Sequence, residues 1–325
     1  MKIKKKETIT VVLISLFLIV LIFLGGCMYK IPQDPNTFSR TILSNGLERT
    51  YRIHIPSSLP ENATPALVFA LHGGGGTGDG MERTLTLGGF NTLADQYNFI
   101  VVYPDGIEKN WNDGRKNLTD QAHQQNIDDV GFFTDLIDNL TNEFNIDPHR
   151  IFVTGISNGA MMSYRIGFEI PEKIAAIAPV AGAIPTDLLD YNISDAPISV
   201  CIISGTLDPL VPWDGGIVGT PRNPRGTVIS VPESALFWVT HNNCSRLPNS
   251  TVLPDIDPTD HTWVQQDIYS EGTDNTEVAL YTIFNGGHTW PDGYQYLPEV
   301  LIGRTCHDIN ANTVIWEFFS SHPKV

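Results

Sequence analysis

Two short stretches of this chain, "ALVFALHG" (66–73) and "FIVVYPDG" (99–106), are apolar at nearly every position until they reach a glycine. A strand with one face in water alternates apolar and polar side chains. A run without that alternation suits a strand buried on both faces, and such strands belong to parallel sheets covered by helices on each side. The rest of the chain keeps this rhythm. "RTYRIHIP" alternates, as an early half-buried strand does, and "RIFVTGIS", "AAIAPVAG", "ISVCIISGTLD" and "EVALYTIFNGG" read as further strands. Helical spacing fills the intervals: residues 81–97, "DDVGFFTDLIDNLTNEFN" capped by Asp128 or Asp129, "NGAMMSYRIGFEI", "PESALFWVTHNN" and "NANTVIWEFFSSH". The alternation predicts an α/β fold, a single domain over 46–325 with a mostly parallel central sheet flanked by helices and no large lid. Ligands of such sheets sit beyond the carboxyl ends of the strands.

The N-terminus obeys a different pattern. Lys2, Lys4, Lys5 and Lys6 precede an apolar run from about Ile9 to Leu24, followed by Leu24-Gly25-Gly26-Cys27. The run is short for a spanning helix and suits a signal segment. The last four residues resemble a lipobox, where a cysteine is lipidated and the chain cut before it. Residues 1–26 are therefore expected to be a lipoprotein-type signal peptide, Cys27 the lipidation site, and 27–45 a tether containing Pro32 and Pro35. The alternative is an uncleaved membrane anchor. Either reading places the domain outside the cytoplasm, held at a membrane or secreted. Loss of four Lys and one Glu with residues 1–26 would take the formal charge from −16 to −19. Such a surface repels polyanions, and no basic cluster exists beyond the N-terminus, so nucleic acid is excluded as a partner. Cys201, Cys244 and Cys306 allow at most one bridge, for which Cys244–Cys306 is the favoured pairing, since Cys201 lies in a buried-strand pattern. No cysteine or histidine spacing suggests a metal site.

Gly155-Ile156-Ser157-Asn158-Gly159 fits G-x-S-x-G between a strand pattern and a helix pattern. In that setting the turn lifts the serine hydroxyl above the sheet, and the glycines allow close backbone packing. The helix N-terminus behind it favours a developing oxyanion. A serine nucleophile needs a base, and His288 in "FNGGHTWPDG" follows the last strand. The base needs an acid to hold its tautomer, and Asp208 ends "ISVCIISGTLD", with Asp214 as its nearest competitor. The glycine run "LHGGGGTG" after the first buried strand suits a second oxyanion donor beside Asn158. Gly74 is the first choice and Gly75 the alternate, while His72 suits the loop rather than the base. Trp111, Trp213 and Trp290 fall in three strand-end loops, where they either stack on substrate or pack the loops.

Taken together, "ALHGGGGTG", "WNDGR", "IDDVGFF", "RIFVTGISNGAMMSYR", "IAAIAPVAG", "GTLDPLVPWDGG", "FWVTHNNC" and "GGHTWPDG" resemble the polyhydroxybutyrate depolymerase/feruloyl esterase family of α/β-hydrolases over roughly Leu67 to Phe319. The resemblance implies a serine esterase without metal or cofactor, acting on ester-bearing polymers or their fragments, with Ser157, Asp208 and His288 as nucleophile, acid and base. Ser204 stands where relatives often carry His, and Ala160 where they usually carry Gly. Feruloyl or acetyl esters of plant polysaccharide are the leading expected substrates. Hydroxyalkanoate polyester is the alternative, and a non-catalytic polymer-binding lipoprotein the rival from another class.

Overall fold

The computed structural model describes residues 29–116, 118–191 and 193–325, and Ile31–Val325 form one compact unit. The expected signal peptide and Cys27 lie outside the described residues. The strands are β1 (Thr37–Ser44), β2 (Leu47–His54), β3 (Leu67–Leu71), β4 (Ile100–Pro104), β5 (Ile151–Ile156), β6 (Ala176–Val180), β7 (Ser199–Gly205), β8 (Gly216–Thr220), β9 (Asn223–Val228), β10 (Asn249–Val252), β11 (Trp263–Tyr269) and β12 (Val278–Phe284); β2 to β7 and β12 are the expected ones, and β1 and β8 to β11 were not foreseen. The helices are α1 (Gly89–Tyr97), α2 (Asp129–Phe144), α3 (Asn158–Glu169), α4 (Val231–His241) and α5 (Ala311–Ser321), with shorter turns between.

Ten strands make one sheet in the order β1-β2-β4-β3-β5-β6-β7-β12-β11-β10. The central six, from β4 to β12, run parallel, and antiparallel strands flank them on both sides. The apolar runs do what their composition dictates. Leu67, Phe69 and Leu71 of β3 enter one core, with Phe133 and Leu136 of α2, Met161 and Phe168 of α3 and Trp238 of α4. Val68 and Ala70 enter the other, with Phe90 of α1 and Trp316 and Phe319 of α5. A strand that buries alternate residues in two separate cores has no solvent face to mark with polar residues.

Three differences from the sequence expectations have physical reasons. Residues 37–44, assigned to the tether, form β1. It is an edge strand paired only with β2, so most of its side chains face water and the apolar signal is weak. The helix foreseen over 81–97 is broken: Met81–Leu85 form a π-helical turn, and Gly88, at φ +70°, restarts the chain into α1. Of the two aspartates expected to cap α2, Asp128 does so, as expected, accepting from the Gly131 N–H at 2.8 Å. The favoured Cys244–Cys306 pairing is not formed. All three described cysteines are free thiols, and Cys244 and Cys306 lie in different cores on opposite faces of the sheet.

Candidate active site

Ser157 directly follows β5 and caps α3, with φ +59° and ψ −118°. A side chain in that conformation costs energy, so the surrounding turn must enforce it. Two glycines make the turn possible by contact rather than by flexibility. A methyl group on Gly155 would lie 2.7 Å from the Gly159 backbone, and one on Gly159 would lie 2.6 Å from the carbonyl oxygens of Leu71 and His72. Helix α3 thus abuts the end of β3. Ser157 donates its own N–H to the Val180 carbonyl of β6 at 3.0 Å.

Asp208 and His288 leave the carboxyl ends of β7 and β12, which are adjacent and parallel. His288 Nδ1 is 2.7 Å from Asp208 Oδ2, and both side chains are buried. The other oxygen, Asp208 Oδ1, accepts the N–H groups of Leu210 and Val211, each at 2.8 Å. Both oxygens are committed, which fixes the carboxylate and leaves His288 Nδ1 as the donor and Nε2 as the open nitrogen. The two loops are tied to one another. Leu207 N–H meets the Gly286 carbonyl at 2.9 Å, and the closeness of Gly205 to Gly286 excludes any side chain there. Tyr296 Oη donates to the His288 carbonyl at 3.0 Å. Burial, with Asp208 nearby, pushes that phenol well above its ordinary value, so it stays a donor. Asp214, the competitor for the acid, is exposed on the loop beyond.

The glycine loop follows β3. His72 is buried, and burial lowers its pKa, so it is neutral. Its Nε2 accepts the Gly106 N–H at 3.0 Å and its Nδ1 lies 2.8 Å from the Gly73 carbonyl. It is a pin between two loops, with no nitrogen to spare for proton transfer. Gly75 gives its N–H to the Lys109 carbonyl at 2.8 Å. Gly74 is exposed and sits beside the start of α3: a methyl on it would lie 3.8 Å from Asn158 Cβ. Asn158 opens α3, where backbone N–H groups have no helical partner.

Sequence reasoning missed what holds Asn158. Its side chain accepts from the Trp111 N–H at 2.8 Å and donates to the Trp111 carbonyl at 3.0 Å and to Asp113 Oδ2 at 2.6 Å. Asp113 is wholly buried and also binds Arg115, through Nη2 at 2.6 Å, and His123, through Nε2 at 3.1 Å. Burial alone would raise the Asp113 pKa, but Arg115 and His123 overrule it and hold the carboxyl below its ordinary range. Burial opposes a charge on His123 as well, yet Asp113 and Asp120 raise its pKa. The run "WNDGR" carried the signal, a carboxylate and a guanidinium two residues apart, but their common neighbour Asn158 lies 45 residues from Asp113.

The three tryptophans divide. Trp111 has no exposed surface; its indole N–H binds the His72 carbonyl at 2.9 Å and its ring lies against His72 and Phe133. Trp290 is equally buried, bonded to Asn312 Oδ1 at 3.2 Å and edge-on to Phe90. An indole without exposed surface has no face to offer a ligand, so the stacking expectation is corrected for both: they pack the loops. Trp213 is half-buried beyond Asp208.

Comparison with known proteins bears on this arrangement. Residues 57–219 match the family described as Phospholipase/Carboxylesterase. The protein named "Putative esterase NocK" of Nocardia uniformis subsp. tsuyamanensis is 30% identical over 293 residues, covering 87% of this chain and 82% of its own. Feruloyl esterase B of Piromyces equi is 28% identical over 60% of this chain, which spans only 34% of that protein. Poly(3-hydroxyalkanoate) depolymerase C of Paucimonas lemoignei is 33% identical over 40% of this chain and 30% of its own. Among solved structures, the acetyl xylan esterase from Aspergillus awamori shares the fold, with a TM-score of 0.55 at 19% identity over 87% of this chain and 99% of its own. The chain belongs to the Phospholipase/Carboxylesterase family and is an esterase of the α/β-hydrolase superfamily.

Proposed function

We propose that this protein is a serine carboxylic ester hydrolase acting on feruloyl or acetyl esters of plant polysaccharide. Ser157 Oγ attacks the ester carbonyl, and His288 Nε2 takes the hydroxyl proton. Asp208 holds the imidazole with its Nδ1–H inward and stabilises the imidazolium. The N–H groups of Gly74 and Asn158 meet the oxyanion, each worth roughly 3 kcal/mol of transition-state stabilisation. The alcohol leaves with the proton from His288, and water then cleaves the acyl-enzyme by the reverse roles. The observation that carries this reading is the 2.7 Å His288–Asp208 pair at the carboxyl ends of β7 and β12, the same end of the parallel sheet at which β5 delivers a serine held at φ +59°. No metal or cofactor enters the scheme.

The substrate class is supported by the kinship with feruloyl and acetylxylan esterases. Hydroxyalkanoate polyester is the second reading, supported by the depolymerase relative, which has the highest identity of the three relatives compared above. Extracytoplasmic anchoring through a lipidated Cys27 completes the proposal and rests on the n-region, apolar run and Leu24-Gly25-Gly26-Cys27. Among the described residues no helix is long and apolar enough to cross a membrane.

The test is covalent labelling by a fluorophosphonate with mass-spectrometric site mapping. Wild type is expected to carry the label on Ser157; Ser157→Ala is expected to take none and to lose kcat by orders of magnitude, and Asp208→Asn somewhat less. Near-wild-type turnover in Ser157→Ala would end the mechanism. Higher kcat/KM on methyl ferulate or acetylated xylan than on a hydroxybutyrate oligomer is the expected ranking, and the reverse order promotes the polyester reading.

A further inference from the structure

The loop after Asp208 is not a free flap. Strands β8 and β9 form a hairpin held at several points: Gly219 N–H meets the Leu210 carbonyl at 2.7 Å, Val228 bridges to Pro185, and the Arg225 carbonyl accepts from Arg115 Nη1 at 2.5 Å. Gly226, at φ +79°, lies directly on Arg115, where a methyl would come within 3.0 Å of Cδ. The ion pair that supports Asn158 therefore also fixes the backbone of Arg225. The Arg225 side chain then reaches the glycine loop. A methyl on Gly74 would lie 3.4 Å from Arg225 Nη1 and 3.1 Å from Asn110 Oδ1.

Arg225 is exposed and has no ion-pair partner among the described residues, whereas Arg49, Arg52, Arg115 and Arg165 each have one. In a chain with 36 acidic and 20 basic residues, an unpaired guanidinium beside the candidate oxyanion donor is a directed charge. Its planar fork matches a carboxylate. We propose that Arg225 is a specificity-determining residue that binds a carboxylate carried by the ester substrate, close to the scissile carbonyl. The proposal rests on the reading of Ser157 as the nucleophile. It is compatible with an acidic surface, because general repulsion grows with the charge of a polyanion while Arg225 acts on one nearby group.

The carboxylate can belong to the acyl or to the alcohol part, and two substrate pairs separate these. Methyl hydrogen glutarate against methyl pentanoate reports the acyl side; O-acetylglycolate against propyl acetate reports the alcohol side. Acid release by the full-length protein gives kcat/KM for each. The charged-to-neutral ratio is expected to fall roughly five- to ten-fold from wild type to Arg225→Gln in one pair, mainly through KM. Arg225→Lys is expected to retain part of it, and added salt to shrink it. The pair that responds assigns the side. An Arg225→Gln variant that leaves both ratios unchanged overturns the proposal, including the case in which all four substrates slow equally. Fluorophosphonate labelling runs alongside: labelled Ser157 with unchanged ratios removes this proposal alone, whereas unlabelled Ser157 in wild type removes the serine-esterase reading beneath it.

Discussion

Trp290 lies two residues after His288, and its ring fills the core under the His288 loop with its N–H on Asn312 of α5. Phe at this position keeps most of the volume and loses the hydrogen bond, leaving the Asn312 oxygen short of a partner. Trp290→Phe is expected to cost about 1–3 kcal/mol of stability. It should change kcat/KM on methyl ferulate and p-nitrophenyl acetate by the same factor, because the indole touches neither acyl group. Parallel melts and kinetics check this, and a selective loss on the aryl ester would return Trp290 to the substrate surface. The same residue shows how far the sequence could be read. The strand-end positions of Ser157, Asp208 and His288 were legible because each follows a buried strand pattern, and the ends of parallel strands meet on one side of a sheet. Whether a tryptophan in such a loop faces in or out depends on partners such as Asn312 and Phe90 that are remote in sequence, and nothing local encodes it.

At the scale of elements, the loop from Asp105 to Arg115 is the joint of the site. It carries Asp113, which ties Asn158 of α3 through its amide and the β8–β9 hairpin through Arg115. His123 closes the cluster from a short helical turn. Its pKa is raised in the folded protein from an ordinary 6.5, so its charge stabilises the fold. That contribution is fully present below the unfolded value and is lost as pH rises through the higher folded value. The Tm deficit of His123→Gln relative to wild type is therefore expected to be larger at about pH 5.5 than at about pH 9. A deficit that grows with pH would mean that His123 sits there as a neutral donor. The antiparallel elements β8 to β11 were the least legible part of the fold. "PRNPRGT" reads as turn residues, and Gln265, Gln266 and Asp267 interrupt β11, because only central parallel strands must be apolar throughout. The central strands were legible for the converse reason.

For the whole molecule, the sheet is a partition. Ten strands separate two cores that share no side chains, and the thiols are distributed by that partition: Cys244 in one core, Cys201 and Cys306 in the other. Burial pushes the Cys244 and Cys306 thiols up to about 11, so neither presents a reactive thiolate at neutral pH. Export, as proposed above, would expose these thiols to oxidising conditions, yet Cys244 and Cys306 lie in different cores on opposite faces of the sheet, so a bridge between them requires repacking of a segment that carries one of them. Stability then comes without a bridge among these three cysteines. Unfolding the full-length chain without reductant, alkylating it and mapping peptides is expected to find Cys201, Cys244 and Cys306 all modified. Reductant is expected to leave Tm unchanged, whereas a structural bridge contributes about 2–4 kcal/mol, enough to move Tm by several degrees. A disulfide-linked peptide joining residues 244 and 306 would contradict the partition itself. It would require a different packing of the segment after α4 or of the segment before α5, and with the latter a different seat for the loop that carries His288.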